Sequence, residues 1–173
     1  KALAQDQLRG LQGLLEACPG LQGMAGTYDG DTPASERRRL RDRGNVILTN
    51  PDMLHQAILP HHSRWHRFFT HLHYVVIDEV HAYRGVFGSH LANVLRRLQR
   101  ICAHYGTRPQ FVCSSATIAN PVDHAARITG VPMALVNEDG SPRGPKRFVL
   151  WNPPATSPPS PLSGRRGTAA SDA

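Results

Sequence analysis

A short apolar run, Tyr74–Ile77, followed at once by the acidic pair Asp78 and Glu79, constrains the fold of this chain more than any other feature. A run of this length that is rich in β-branched residues predicts a buried strand. Residues directly after such a strand lie at the carboxyl edge of an open α/β sheet, where its ligands bind. In a nucleotide hydrolase, one acid there can hold Mg²⁺ through water while the next orients or deprotonates the attacking water.

The rest of the chain alternates between helical and strand patterns. Apolar runs predict further strands at residues 21–28, 46–48, 110–113, 131–136 and 147–151. Helices are predicted over residues 4–15, after the caps Thr32 and Asn50, from the cap Asn120 to a stop at Gly130, and over residues 91–105, where Gly106 ends the helix. This alternation predicts an α/β fold, a parallel sheet with helices on both faces.

Five short segments of the chain, taken in their order along the sequence, resemble motifs of the first RecA-like domain of superfamily-two helicases, the DExH/DEAD-box proteins. The residues that match its DExH box are Asp78, Glu79 and His81, and those that match its Ser-Ala-Thr coupling motif are Ser115, Ala116 and Thr117. The resemblance covers residues 1–152 and is strongest to the bacterial DExH branch associated with repair of mitomycin-type DNA damage.

Three upstream segments, residues 1–7, 29–33 and 49–54, resemble the family's nucleic-acid-contact motifs. The resemblance implies that they run along the backbone of one strand and contact phosphates without reading sequence. The candidate nucleic-acid contacts are Lys1, Gln5, Thr32, Thr49, Asn50 and Asp52. Helix N-termini bind phosphate, so the starts at Thr32 and Asn50 fit this role, but both residues are explained equally well as simple helix caps.

The resemblance also implies a mechanism for the whole protein. ATP with Mg²⁺ would bind at the carboxyl edge of the sheet, between this domain and a second RecA-like domain. Asp78 would hold Mg²⁺ through water, Glu79 would act as general base, and His81 would link the nucleotide site to Ser115–Thr117 or to the second domain. We therefore expect an ATP-dependent DNA helicase or translocase, with DNA preferred to RNA, located in the cytoplasm and independent of membranes.

One expected motif is absent from the 173 residues. The two lysines, Lys1 and Lys146, do not lie in a Gly-x-x-x-x-Gly-Lys-Ser/Thr phosphate loop. We therefore expect an incomplete RecA-like domain over residues 1–152, without its phosphate-loop strand, and no measurable ATPase activity from this chain alone. The Pro/Ser-rich residues 153–173 are expected to be disordered.

Two other functions remain open on the residues alone. The net charge of +7 and pI near 10 suggest a polyanion partner, which also fits a nucleic-acid-binding module without ATPase activity. A metal-dependent phosphoesterase could use Asp78 and Glu79 with nearby histidines. The pair His62 and His66 has zinc-like spacing, but no cysteine or carboxylate completes a site, which favours histidines that simply pack before the acidic strand.

Overall fold

The structure, a computed structural model, describes residues 2–18, 20, 23–138, 140 and 144–151, with side chains from residue 4 onward. Lys1 and the predicted disordered tail at residues 153–173 lie outside the described residues. One compact unit, Lys1–Val136, contains all the helices and strands of the described part. In the second unit, Asn137–Ala173, the described residues form no helix or strand.

Helices and strands alternate along the first unit, as predicted. The strands are β1 (Ala25–Tyr28), β2 (Val46–Thr49), β3 (Tyr74–Ile77) and β4 (Gln110–Cys113). The α-helices are α1 (Ala2–Ala17), α2 (Ala34–Arg43), α3 (Pro51–Met53), α4 (His66–Thr70), α5 (Gly85–His104) and α6 (Pro121–Thr129). Among the helices of the described residues, none is long and apolar enough to cross a membrane.

The strands form two separate parallel pairs rather than one continuous sheet. In the first sheet β1 pairs with β2, with Ala25 opposite Val46, and in the second β3 pairs with β4, with Tyr74 opposite Gln110. Between β2 and β3 lies an apolar groove of about 1510 Å³, which α1 and α5 also line. The predicted α/β class and parallel pairing are confirmed, whereas the two sheets do not hydrogen-bond to each other.

The first sheet has helices on both faces. A Cβ at Gly26 would lie 2.5 Å from Leu40 Cδ2, so only glycine there lets α2 approach β1. The next side chain, Thr27, points to the opposite face because side chains alternate along a strand. There its hydroxyl accepts a hydrogen bond from Gln5 Nε2 of α1 at 3.5 Å. The two helices therefore lie on opposite sides of β1.

The second sheet packs one face against the main core. Ile77 of β3 and Phe111 of β4 are buried in the same cluster as Leu91, Leu95 and Leu98 of α5. Between β2 and β3, α3 continues through a π turn, Leu54–Ile58, and a 3₁₀ helix, Leu59–Trp65, into α4. This segment adds buried Leu59, Trp65 and Phe69 to the cluster, and Trp65 packs edge-to-face on Tyr28, with ring centroids 5.1 Å apart.

Several predicted boundaries are confirmed and three are wrong. The Asn50 side chain caps α3 by accepting from the Met53 amide at 2.8 Å, and Gly130, with φ 77°, ends α6. The helix predicted after Thr32 begins later, at Ala34, because the Thr32 hydroxyl donates to Thr27 O at 3.0 Å and closes the turn after β1 instead. The strands predicted at residues 131–136 and 147–151 are wrong, since neither segment pairs with a described strand.

Candidate active site

The candidate site lies where β3 and β4 end. The chain segments beyond these strands stay paired, because the Ser114 amide donates to Ile77 O at 3.0 Å and the Val80 amide donates to Ser114 O at 2.9 Å. A ring nitrogen of His124, on α6, lies 2.9 Å from Val80 O and fastens the same turn from the other side. Asp78 and Glu79 are thus carried on a turn that three elements hold in place.

The Asp78 carboxylate receives hydrogen bonds on both oxygens. Ser114 Oγ and the Glu79 amide, the latter at 2.9 Å, donate to Oδ1, and Gln7 Nε2 donates to Oδ2. The bond from Ser114 is the main reason that the pKa of Asp78 lies below its ordinary value, and Gln7, Glu79 and His81 add to the effect against the opposing influence of partial burial. Asp78 is therefore an oriented, ionised carboxylate at neutral pH.

Glu79 adopts a backbone conformation that is unusual for its residue type. Its φ of 52° and ψ of 41° lie in the left-handed region, and it is the one residue other than glycine with positive φ among those described. Such a conformation costs about 1–3 kcal/mol and is concentrated at functional sites. It turns the chain sharply after Asp78 and leaves the Glu79 side chain 57% exposed beside Asp78.

His81 connects Glu79 to the predicted coupling motif. Its Nδ1 accepts a hydrogen bond from the Ala116 amide at 3.0 Å, and its Nε2 lies 3.1 Å from Glu79 Oε2. Because Nδ1 is an acceptor, the ring hydrogen resides on Nε2 and points at the Glu79 carboxylate. Ser115, whose hydroxyl donates to Ala116 O at 2.8 Å, and Thr117 are both exposed next to this contact.

The predicted nucleic-acid residues that are described lie at the carboxyl end of the first sheet. Thr49, Asn50 and Asp52 follow one another at the end of β2, where the Thr49 hydroxyl donates to Tyr28 O at 2.7 Å. Gln5 lies nearby on α1, against Thr27. Thr32 is buried and its hydroxyl is used within the turn after β1. The structure thus brings four of these residues to one exposed edge and keeps the Thr32 hydroxyl inside.

Two contacts of the Asp78 carboxylate, those with Ser114 and Gln7, were not predicted from the sequence. Ser114 directly precedes the Ser-Ala-Thr motif, so its place at the end of β4 could have suggested a role. Gln7 lies 71 residues from Asp78, and no local pattern signals that contact. Its residue type and position on an amphipathic helix fit an ordinary solvent-facing glutamine.

The carboxylates of Asp78 and Glu79 fit a magnesium ion whose other ligands are waters and substrate phosphates. Among the described residues, no set of three or more His, Cys, Asp or Glu side chains could hold a metal ion. Mg²⁺ commonly keeps several waters and binds through one or two carboxylates plus substrate phosphates. Ionised Asp78 suits that arrangement. The two histidines with zinc-like spacing make separate hydrogen-bonding contacts through Nδ1. His62 Nδ1 lies 2.8 Å from the Tyr105 hydroxyl, and His66 Nδ1 lies 3.3 Å from Ser63 O.

The chain is similar to known ATP-dependent helicases. It is 52% identical over 170 residues to the uncharacterized ATP-dependent helicase YprA of Bacillus subtilis, covering 98% of this chain and 22% of YprA. It is 46% identical over 169 residues to the ATP-dependent helicase hrq1 of Schizosaccharomyces pombe, covering 96% of this chain and 16% of hrq1. The chain therefore spans about a fifth of the length of these relatives.

The fold is shared with a solved structure. A crystal structure of the DUF1998 helicase MrfA bound to DNA and AMPPNP aligns with 83% of this chain and 20% of MrfA, with a TM-score of 0.79 and 54% identity. The DEAD/DEAH box helicase family matches residues 1–125, a span that includes Asp78, Glu79, His81 and Ser115–Thr117. These comparisons confirm the resemblance on which the RecA-like fold was predicted. The chain belongs to the DEAD/DEAH box helicase family.

Proposed function

We propose that this chain is part of the ATP-hydrolysing motor of a DNA helicase or translocase. The observation that carries the proposal is the connected site at the end of the second sheet. Asp78, Glu79, His81 and Ala116 form one continuous set of contacts there, from the Asp78 carboxylate to the coupling motif. Chemistry at the acids and movement at Ser115–Thr117 are therefore mechanically joined.

In this proposal each residue of the site has a distinct task. Mg²⁺, bound together with ATP, would neutralise charge on the transferring phosphoryl group. Asp78, fixed by Ser114 and Gln7, would hold the ion through its water shell. Glu79, exposed and next to Asp78, orients the attacking water and accepts its proton. His81 contacts the Glu79 carboxylate through Nε2 and the Ala116 amide through Nδ1, so that a movement of Glu79 shifts the imidazole ring and the segment bonded to it.

The partners follow from the family and from the charge of the chain. MrfA has been crystallised with DNA and AMPPNP, which supports a nucleotide cofactor and DNA in preference to RNA. The net charge of +7 and the polar edge at Thr49, Asn50, Asp52 and Gln5 suit contact with a phosphate backbone. We further propose that a second RecA-like domain of the whole protein closes over the site, and that the protein acts in the cytoplasm.

A second function, nucleic-acid binding without hydrolysis, is favoured by the charge of the chain. Its net charge of +7 and pI near 10 suit a polyanion partner whether or not ATP is hydrolysed. A binding module would keep the contacts along the first sheet and use Asp78 and Glu79 only as structural acids.

Hydrolysis by the full-length protein decides between the two functions. We expect single-stranded DNA to stimulate ATP hydrolysis, and a DNA duplex with a single-stranded tail to be unwound faster than an RNA duplex of the same sequence. Asp78→Asn should lower hydrolysis by at least about 10²-fold, because the neutral amide cannot hold the metal's waters as a carboxylate does. Asp123→Asn, an exposed acid in the first turn of α6, is the matched control. DNA binding without any DNA-stimulated hydrolysis would favour the binding module.

A further inference from the structure

The helix α1 contacts both sheets through two glutamines that lie two residues apart. Gln5 Nε2 donates to Thr27 Oγ1 of β1 at 3.5 Å, and Gln7 Nε2 donates to Asp78 Oδ2 just after β3. The two sheets share no strand pairing, and a groove separates β2 from β3. Within the described part of the chain, α1 therefore bridges the carboxyl edges of the two sheets.

The contact with Gln7 fixes the Asp78 carboxylate in a specific way. Ser114 Oγ and the Glu79 amide both donate to Oδ1, and Gln7 Nε2 donates to Oδ2. An ionised carboxylate accepts about four hydrogen bonds, two on each oxygen. Gln7 therefore restrains rotation of the carboxylate from the Oδ2 side and occupies one of the two acceptor positions of Oδ2. A shift of α1 changes this restraint and frees or fills that position.

We propose that Gln7 is a positioning residue that couples nucleic-acid binding along α1 to the Asp78 carboxylate. The inference rests on the proposed function, since it connects the nucleic-acid edge of the first sheet to the nucleotide edge of the second. A nucleic-acid strand that binds beside Gln5 and the end of β2 shifts α1 or holds it in place. Because hydrogen bonds weaken steeply once their distance and angle leave a narrow range, a small displacement of α1 makes or breaks the contact with Asp78.

The exposure of Gln7 separates this role from a contribution to folding. Its side chain is exposed, whereas the large side chains that hold the core together, such as Leu59, Trp65 and Phe69, are fully buried. Surface substitutions away from caps, cavities and buried networks change stability little. Gln7→Ala is therefore expected to leave the fold intact and to act on communication between the two edges.

Binding measurements on the full-length protein test the inference without requiring turnover. If nucleotide and nucleic acid are coupled, AMPPNP with Mg²⁺ changes the affinity for single-stranded DNA by a definite factor, and DNA changes the affinity for nucleotide by the same factor. The affinity for fluorescently labelled single-stranded DNA is measured by anisotropy with and without AMPPNP and Mg²⁺. The ratio of the two affinities is compared among variants, so a uniform loss of DNA affinity cancels.

Gln7→Ala should reduce this ratio by about fivefold, the lower end of typical coupling between two sites. Gln7→Glu, which has the same length but only acceptor atoms when ionised, should reduce it at least as much. Gln12→Ala, on an exposed position of the same helix, should leave the ratio unchanged. A ratio that stays within twofold of the unsubstituted protein in Gln7→Ala overturns the inference.

The unsubstituted protein separates failure of this inference from failure of the proposed function. If the unsubstituted protein binds DNA equally well with and without AMPPNP and Mg²⁺, but DNA still stimulates its hydrolysis, the role of Gln7 is rejected and the motor function remains supported. Absence of DNA-stimulated hydrolysis rejects the proposed function, and the coupling role of Gln7 falls with it.

Discussion

The two sheets share a backbone geometry and differ in what surrounds them. Each has two parallel strands of four residues in direct register. In the first, α1 and α2 lie on opposite faces of β1, whereas the second packs one face on α5 and exposes Tyr74, Val76 and Val112. The residues after its strands are the acids Asp78 and Glu79 and the predicted coupling motif, while those after β2 are the helix cap Asn50, then Pro51 and Asp52. The strands supply the platform, and the residues that follow them determine the chemistry.

We propose that this difference corresponds to separate tasks of the two sheets. The exposed fraction of Val76 is 68%, although parallel strands normally have both faces covered. An apolar face next to the candidate active site marks the second sheet as the one that needs further partners. We propose that the carboxyl edge of the first sheet, where Thr49, Asn50 and Asp52 are exposed, contacts a phosphate backbone. Four predictions test whether the tasks are divided in this way.

The largest expected effect is on hydrolysis at the second sheet. Glu79→Gln in the full-length protein should lower ATP hydrolysis by about 10²–10⁴-fold, because the general base is lost, and should leave nucleotide and DNA binding nearly unchanged. Glu36→Gln, on α2 beside the first sheet, is the matched control and should hydrolyse ATP normally. Steady-state phosphate release and DNA anisotropy measure the two properties. Equal activity of the Glu79 and Glu36 variants would remove the distinction between the sheets.

The next effect is on coupling. Ser115→Ala combined with Thr117→Ala should lower duplex unwinding by about tenfold, within the usual range of coupling between sites, while most hydrolysis remains. Ser115 and Thr117 flank Ala116, whose amide donates to His81 Nδ1, and we propose that movement at the acids reaches this segment through that bond. Strand-displacement and phosphate-release assays on the same preparation give the ratio of the two rates. Ser35→Ala on α2 is the control, and unwinding at the wild-type rate by the double variant would contradict the prediction.

A smaller effect is expected at the first sheet. Asn50→Ala removes the cap of α3 and should cost about 1 kcal/mol of stability, with weaker DNA binding and normal hydrolysis per bound molecule. Asn50→Asp retains a capping oxygen but adds a negative charge, so it should keep stability and still weaken DNA binding. Denaturant unfolding and anisotropy separate the cap from the contact. If Asn50→Asp binds DNA as tightly as the unsubstituted protein, Asn50 acts only as a cap.

The smallest effect concerns pH. Because the pKa of folded Asp78 lies below its ordinary value of 3.8, its ionised form adds stability that is present above that value. This stability is lost as the pH falls through the lowered folded-state pKa. Ser114→Ala removes the main cause of the shift, so the variant should be less stable than the unsubstituted protein at pH 6 and converge on it as the pH falls below 3.8.

Denaturant unfolding at a series of pH values from about 3 to about 6, the range in which carboxyl groups titrate, measures how the free energies of unfolding of the two proteins converge. Asp42, beside the first sheet, also has a lowered pKa, caused mainly by its hydrogen bond with Arg41, but it is open to solvent. Asp42→Asn should therefore change the pH dependence less than Ser114→Ala. If the free energies of unfolding of Ser114→Ala and the unsubstituted protein differ by the same amount at all pH values, ionisation of Asp78 is not the cause of that difference.

Local patterns predicted most of the framework. The apolar runs before Asp78 and Ser114 form β3 and β4, and Asn50 and Gly130 begin and end helices as their residue types indicate. These features depend on a few neighbouring residues, so the sequence carries them directly. The family resemblance then placed Asp78, Glu79 and His81 in one site, and the structure shows them in contact.

Long-range packing accounts for what could not be predicted. The Thr32 hydroxyl turned inward and donates to Thr27 O, and residues 131–136 formed no strand, although Val131 and Met133 of that segment pack against the core. The bond between Gln7 and Asp78 joins residues far apart in the chain, which no local periodicity encodes. The separation of the sheets likewise depends on which edges meet in space.

The left-handed backbone of Glu79 has a consequence for how this position evolves. Glycine or asparagine would adopt φ 52° more readily, so selection for stability alone would replace the glutamate. Persistence of a carboxylate there requires selection for activity, as expected where stability and activity trade off against each other. Directed evolution of the full-length protein toward heat resistance, without a requirement for hydrolysis, should therefore enrich Glu79→Gly among its early substitutions.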